Sequence, residues 1–371
     1  MEAMTVRVDL EAVRENLRIV RTLAGERTVM ACVKGDAYGH GLLPVARCLA
    51  EAGVPWLTLG SPTEARALRE AGITTPILLF PTIASRDLGP EVARGVTIGV
   101  QSAAEAGALA RRADGRVAVF LKVDAGFGRV GAPLARAVTE AHGILHLAGV
   151  RLAGVFTHLP FSSGAGLAWA RDRLEAFGAV AGEIQAEAGG RLVVQALAST
   201  GLACGLDAPG TNAVCPGSML YGVQPGWADD DGRPVAVAGL RPALVDVSTV
   251  VGSIRTIPAG ERFGGGGART AARSTTVGVL PLGHANSFLP RRPGQPASVG
   301  GRRVEILSVS LEHTVVDLTG AGHVDEGAPA CLLARDPARG PSLDEVARAQ
   351  GRAPVEVLVA LSGKSRYEHV S

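Results

Sequence analysis

The run Val33-Lys34-Gly35-Asp36-Ala37-Tyr38-Gly39-His40-Gly41 comes directly after a short apolar segment, Thr28 to Val33. If that segment is a barrel strand, Lys34 stands at the strand's C-terminal end, where such barrels gather their reacting groups. A lysine desolvated there has its ammonium form disfavoured and can act as an amine nucleophile, forming a Schiff base with a carbonyl compound. Tyr38 and the glycines after it could hold an anionic group. A plainer account fits the same spacing as well: a lysine snorkelling from a strand end beside an ordinary glycine turn. The chain has only three tyrosines, Tyr38, Tyr221 and Tyr367, so chemistry that needs a phenol has few candidates.

The elements that must position these residues follow a rhythm. Between residues 28 and 222, apolar runs alternate with amphipathic stretches: Thr28 to Val33, Trp56 to Gly60, Pro76 to Phe80, Val96 to Val100, Val117 to Asp124, Leu152 to His158, Leu192 to Ser199 and Ser218 to Gly222. Each is apolar on both faces, as a parallel sheet covered by helices requires. Eight is the number that closes a β/α barrel. One helix carries an explicit start, with Ser61 as N-cap, Pro62 at the first position and Glu64 completing a capping box. After Gly222 comes a polar linker with Asp229-Asp230-Asp231-Gly232. Period-two alternation then predicts antiparallel strands over Ala243 to Ile254, Thr275 to Leu282, Arg303 to Leu318 and Ala328 to Leu333. The expected fold is α/β: an eight-stranded TIM-type β/α barrel over residues 1–230, followed by a mainly antiparallel β-domain over 231–371. The first few residues are free to pair with the β-domain.

Composition supports a folded, two-domain protein. The chain has 371 residues, 47% of them hydrophobic, which excludes disorder and matches roughly two domains of about 150 residues each. With 37 basic against 35 acidic side chains, it lacks the charge of an electrostatic nucleic-acid binder. Five cysteines form an odd set with no C-x-x-C pair, as expected for reduced thiols in a cytoplasmic protein. The charged N-terminus is unlike a signal peptide, and neither a membrane partner nor a metal is expected.

The lysine segment closely resembles the cofactor-lysine motif of the alanine racemase family, Lys-Ala-Asp/Asn-Ala-Tyr-Gly-His-Gly, with Gly35 the one departure. The similarity covers essentially the whole chain. It implies a fold type III pyridoxal 5'-phosphate enzyme of D-amino acid metabolism, acting as a head-to-tail homodimer on an amino-acid substrate. Lys34 would carry the cofactor and Tyr38 would bind its phosphate. Lys122-Val123-Asp124-Ala125-Gly126-Phe127-Gly128-Arg129-Val130-Gly131 is similar to the family's Lys-x-Asp-Thr-Gly-Met-x-Arg-x-Gly. Arg129 would there serve the cofactor's phenolic oxygen and the substrate carboxylate, a task that suits a planar fork. Lys122 matches a position that is often carbamylated. Gly154-Val155-Phe156-Thr157-His158 resembles Gly-x-x-Thr-His and puts His158 beside the pyridine ring. Ser199 falls on a phosphate ligand. Cys215-Pro216-Gly217-Ser218-Met219-Leu220-Tyr221-Gly222 matches Arg-Pro-Gly-x-x-x-Tyr-Gly, so Gly217 and Ser218 would offer backbone N–H groups to the phosphate. Tyr221 fits better as barrel core.

The chain also departs from the family. Cys215 stands where a racemase has the arginine facing the pyridine nitrogen, and a thiol brings no positive charge and only a weak donor. Gly265 falls on the catalytic tyrosine that would serve the second face of the substrate Cα. His284 replaces a tyrosine at the mouth of the site, Asn286 replaces an aspartate, and Gly363 falls about where another phosphate-contacting tyrosine stands. Three functions fit: an amino-acid racemase or epimerase with an altered second base, for which His284 is a candidate; carbanion chemistry of another kind, aldol-type or one-base Cα exchange; or a non-catalytic cofactor-binding homologue.

Overall fold

The computed structural model of the protein describes residues 4–81, 88–113, 115–161, 163–190, 192–225, 235–286, 293–362 and 365–370. The linker Asp229-Asp230-Asp231-Gly232, the boundary expected at 230/231, Ser287 and Gly363 lie outside the described residues. The chain divides into two compact units, one of Ala12–Ala37 and Leu42–Arg241, the other of Met1–Glu11, Tyr38–Gly41 and Pro242–Ser371. In chain order the strands of the first half are β1 (Thr5–Asp9), β2 (Thr28–Cys32), β3 (Trp56–Leu59), β4 (Ile77–Leu79), β5 (Thr97–Val100), β6 (Val117–Asp124), β7 (Ala132–Pro133), β8 (Val150–Phe156), β9 (Val193–Leu197) and β10 (Ala213–Val214). The second half adds β11 (Leu244–Val250), β12 (Ser253–Ile257), β13 (Arg262–Phe263), β14 (Arg269–Thr270), β15 (Thr275–Leu280), β16 (Pro296–Val299), β17 (Arg302–Val309), β18 (Thr314–Asp317), β19 (Pro329–Ala334) and β20 (Arg366–Val370).

In the first unit the order β5-β4-β3-β2-β10-β9-β8-β6 closes on itself through β5 and β6, with Ile98 opposite Val119 and Val100 opposite Leu121. All eight strands are parallel, and the result is the expected barrel. Its interior is filled rather than hollow. Met30, Leu78, Phe120, Ala153, Phe156 and Ala213 form one buried cluster, with Trp56, Phe80, Val193 and Cys215 packed against it. Ring pairs Trp56–Phe120 (5.4 Å), Phe120–Phe156 (6.3 Å) and Phe80–Phe156 (5.8 Å) cross it. Gly154 makes room for them, because a Cβ there would lie 2.4 Å from the Phe120 ring.

One strand was misplaced by sequence. Ser218 to Gly222 is not the eighth strand; Ser218–Tyr221 is a 3₁₀ turn closed by Gly222 at φ 72°, and β10, four residues earlier, completes the barrel. Pro216 lacks the N–H that a ladder needs, so the apolar run after it leaves the sheet. The expected capping box at Ser61 is also absent. Ser61 is extended and Pro62 opens the helix Pro62–Glu70, but no side-chain cap forms. Glu64 instead accepts from the backbone N–H of Asp36 at 2.7 Å.

The second unit holds a nine-stranded sheet in the order β12-β15-β18-β17-β16-β19-β11-β1-β20. Every pairing is antiparallel except that of β1 with β20. The long alternating runs break into pairs, one at Val251-Gly252 and the other at the turn Ser310 to His313, where Ser310 and His313 bond to each other. Ile257, Ala271, Val277 and Leu307 pack beneath Phe263 and Val315. Arg7 on β1 pairs with the buried Asp246 on β11. Among the described residues no helix is long and apolar enough to cross a membrane.

The segment after Lys34 is the strained part of the backbone. Gly35, Asp36, Ala37, Tyr38 and Gly39 all have φ between 53° and 77°, one turn of left-handed helix. Asp36, Ala37 and Tyr38 are the non-glycine residues of positive φ among those described. Each costs roughly 1–2 kcal/mol in that conformation. Ala37 N–H reaches the Val33 carbonyl at 3.0 Å, and Asp36 Oδ1 accepts from Leu42 N–H at 2.7 Å. Gly39 closes the turn against Leu358, whose carbonyl oxygen would lie 1.9 Å from any Cβ. Gly39→Ala is therefore expected to destabilise the protein by on the order of 3 kcal/mol or more, through clash and positive φ together. Denaturant unfolding checks this, and an unchanged midpoint would contradict it.

Candidate active site

The C-terminal ends of the barrel strands bring several expected residues to one mouth. Lys34 follows β2 and is exposed, with Nζ 6.0 Å from the Phe80 ring centre. The desolvation expected for it is thus not observed in this chain, because the strand ends at Cys32 and the side chain leaves the sheet at the open end. Lys122, near the end of β6, is the desolvated amine: it is 7% exposed, its Nζ lies 5.0 Å from the Phe156 ring centre, and burial pulls its pKa down to about 7. Asp124 opposes that shift, while Arg129 adds to it. His158, past the end of β8, is held down to about pKa 4 by burial and by the nearby cations Lys122, Lys34 and Arg129. Its imidazole is neutral at physiological pH.

The loop from Ala125 to Arg129 is organised by one carboxylate. Asp124 Oδ1 accepts from the N–H groups of Gly126 (2.9 Å), Phe127 (2.7 Å) and Gly128 (3.1 Å), and Oδ2 accepts from Arg129 (3.1 Å). Burial alone would push this carboxyl up, but the four donors hold it below its ordinary range. Arg129 then folds over Phe127, its guanidinium 4.5 Å from the ring centre, and the same ring meets His158 edge-on at 5.9 Å. Thr157 donates to the Val123 carbonyl at 2.9 Å, tying the His158 loop to the strand that carries Lys122.

Ser199 begins the short helix Ser199–Ala203 after β9. Its Oγ accepts from Gly217 N–H at 3.0 Å and Met219 N–H at 3.3 Å. The hydroxyl thereby sets the turn that carries Ser218, whose N–H makes no hydrogen bond among the described residues. Cys215 precedes that turn. Its Sγ is 3.3 Å from Thr58 Oγ1 and it hydrogen-bonds the thiol of Cys32 at the end of β2. The shared hydrogen bond pulls Cys32 down and pushes Cys215 up, and Lys34 reinforces the fall at Cys32. Tyr221 is fully buried and donates to the Cys32 carbonyl at 2.9 Å, so it belongs to the barrel wall.

Two expected residues belong to the other unit. Tyr38 is half-buried within the left-handed turn. In the same unit, His40 is fully buried: its Nδ1 lies 2.9 Å from the Tyr38 carbonyl, and its own carbonyl pairs with His369 Nε2 at 2.8 Å. His284 is exposed on a 3₁₀ turn, His284–Asn286, whose backbone is pinned by the carbonyls of Ser310 and Leu311. Gly265 sits in an exposed turn with ordinary φ, and a Cβ there would meet nothing within 4 Å.

Sequence reasoning missed the anchors. The motif match says nothing of the loop that Asp124 holds, although an Asp before Ala-Gly is a known turn former. Glu64 has the spacing of a helix cap, and nothing in its own neighbourhood announces that it braces the turn after Lys34. The Cys32–Cys215 pair needed the β2–β10 pairing to bring two cysteines 183 positions apart together.

Two outcomes follow. Asp124→Ala is expected to lose about 2 kcal/mol of stability, since four donors lose a charged acceptor, and a denaturation midpoint equal to that of the parent would refute the anchoring role. For Lys122, folding lowers the pKa from its ordinary 10.5 to about 7. Below about pH 7 both folded and unfolded chains carry the proton, and the burial penalty is complete; between about 7 and 10.5 only the unfolded chain holds it, so stability rises with pH. Lys122→Met should therefore exceed the parent in stability at pH 6, with the gap shrinking by roughly 3 to 5 kcal/mol by pH 10. Urea unfolding of the ligand-free proteins at both pH values tests this, and an equal gap would contradict it.

The family model for the alanine racemase N-terminal domain matches residues 8–225, and that for the C-terminal domain matches residues 244–370. An alanine racemase of Frankia casuarinae is 33% identical over 360 residues, spanning 95% of this chain and 92% of its own. That of Thioalkalivibrio sulfidiphilus is 31% identical, with 99% of each covered. Among solved structures, the alanine racemase of Streptomyces coelicolor superposes with a TM-score of 0.86 at 27% identity, covering 100% of this chain and 98% of its own. The chain belongs to the alanine racemase family, whose enzymes are isomerases dependent on pyridoxal 5'-phosphate.

Proposed function

We propose that this protein is a pyridoxal 5'-phosphate-dependent amino-acid racemase whose second base differs from the usual tyrosine. The residues of the barrel mouth fit the cofactor. Burial first, and then the positive charge of Lys122, Lys34 and Arg129, depress His158, and that positive charge suits a phosphate and a carboxylate. Ser199 holds the turn in which the Ser218 N–H is available to an anion. That Ser199-held turn, set across the same barrel mouth as a primary amine, is the observation that carries the reading.

When bound, the cofactor supplies an electron sink for the pair left behind as the Cα proton of an amino acid is removed. Lys34 would hold it through its amine, and Ser199, Gly217, Ser218 and Tyr38 would hold its phosphate. The Lys34 Nζ would take or return a proton on one face of Cα. Arg129, steadied through its own N–H by Asp124, orients the carboxylate. His158, kept neutral, would lie beside the cofactor ring without adding a charge. Lys122, with a pKa near 7, is partly unprotonated at neutral pH and so open to carbamylation, which would turn a cation beside Arg129 into an anion. Cys215, at the position that matches the pyridine-contacting arginine, keeps its proton because burial and the bond to Cys32 raise its pKa; with that one S–H given to Cys32, it would bring no positive charge to the nitrogen.

The opposite face of Cα lacks its phenol. By the motif match Gly265 takes the place of that phenol, a Cβ there would meet nothing within 4 Å and no tyrosine occurs between 222 and 366; His284 or a water would serve in its stead in a cytoplasmic head-to-tail homodimer. The same gap favours a second reading, in which the carbanion is protonated from one side only or joined to an electrophile. Incubation with L- and D-amino acids in deuterated water separates the two: racemisation gives deuterium with inversion, one-base exchange gives deuterium with retention. Absence of exchange from every amino acid would overturn both. Gly265→Tyr is expected to raise alanine racemisation at least tenfold, measured by chiral chromatography. No gain would show that more than the base differs.

A further inference from the structure

At the end of the barrel opposite Lys34, two histidines and a glutamate gather on adjacent helices. His142 lies in the last turn of the helix Leu134–Leu145, and His146 caps its C-terminus, one turn on and on the same face. Glu187 comes from the helix Gly164–Ala188 and its carboxylate bonds His142 Nδ1. One ligating atom from each of the three lies within 4.8 Å of the others, and the two imidazole rings lie 4.3 Å apart, tilted by 36°. Tetrahedral zinc, with bonds of about 2.0–2.1 Å, sets its ligand atoms roughly 3.3 Å apart, which modest side-chain rotation reaches from here.

The chemistry around the cluster is that of a ligand set rather than of a plain ion pair. His146 Nδ1 lies 2.8 Å from the His142 carbonyl, which can only accept, so the proton sits on Nδ1 and Nε2 keeps its lone pair. An ion pair with Glu187 uses one histidine; a second imidazole beside the first gains nothing by sharing that proton. A divalent cation satisfies both rings and the carboxylate together. The C-terminal end of the helix, where carbonyls carry partial negative charge, favours a cation in the same place. All three side chains are exposed, leaving room for water as the remaining ligand.

We propose that His142, His146 and Glu187 bind one Zn2+ that clamps these two helices at the base of the barrel. In such barrels this end serves stability and not chemistry. Glu187 lies 41 positions from the nearer histidine, and only the packing of the two helices brings them together.

Isothermal titration of the holoenzyme with zinc chloride, after chelator treatment, tests the proposal beside the H142A/H146A double variant. Zinc held by thiols elsewhere is common to both proteins and cancels in the difference. The expected result is one equivalent of zinc fewer in the double variant, a zinc-induced rise in Tm confined to the parent, and an affinity at least tenfold weaker in Glu187→Gln. Equal zinc uptake by parent and double variant would overturn the site, and an unchanged affinity in Glu187→Gln would overturn its three-ligand composition.

Discussion

Closure of the barrel between β5 and β6 is the constraint from which the site follows. Once Ile98, Gly99 and Val100 pair with Val119, Phe120 and Leu121, eight strands of one direction must end on one side. Residues as far apart in sequence as Lys34, Lys122, His158 and Ser199 then share a mouth without any contact designed for each. The aromatic filling of the barrel supports that closure from inside. Phe120, Phe156 and Phe80 occupy the volume below the mouth, and Lys34 and Lys122 each project over one of those rings.

Electrostatics at the mouth is divided between anchored and unanchored charge. Asp124 spends its charge on backbone donors and so fixes a loop, leaving Arg129's side chain to act outward. Glu64 does the corresponding work for the turn after Lys34, at the cost of a carboxyl whose pKa burial pushes up. Both acids steady the backbone that carries Lys34 and Arg129. The strain of the left-handed turn belongs to the same arrangement, because only an over-determined segment keeps three non-glycine residues at positive φ.

Much of this was legible. Lys34 at a strand end, seven of the eight barrel strands and the antiparallel character of the second half can all be read from apolar runs and periodicity. Ser218 to Gly222 misled because a fully apolar run looks the same whether it enters a sheet or a buried 3₁₀ turn. Glu64 misled because a capping box and a long-range brace use the same residue type at the same spacing.

Sequence by itself determined the family, and with it which residues, Lys34 and Gly265 among them, occupy the positions of the matched motifs. Only the tertiary structure decided which amine is buried, which thiols touch and which carboxylates hold loops. Those are properties of distance and desolvation, and strand pairing creates both between residues that the chain keeps far apart.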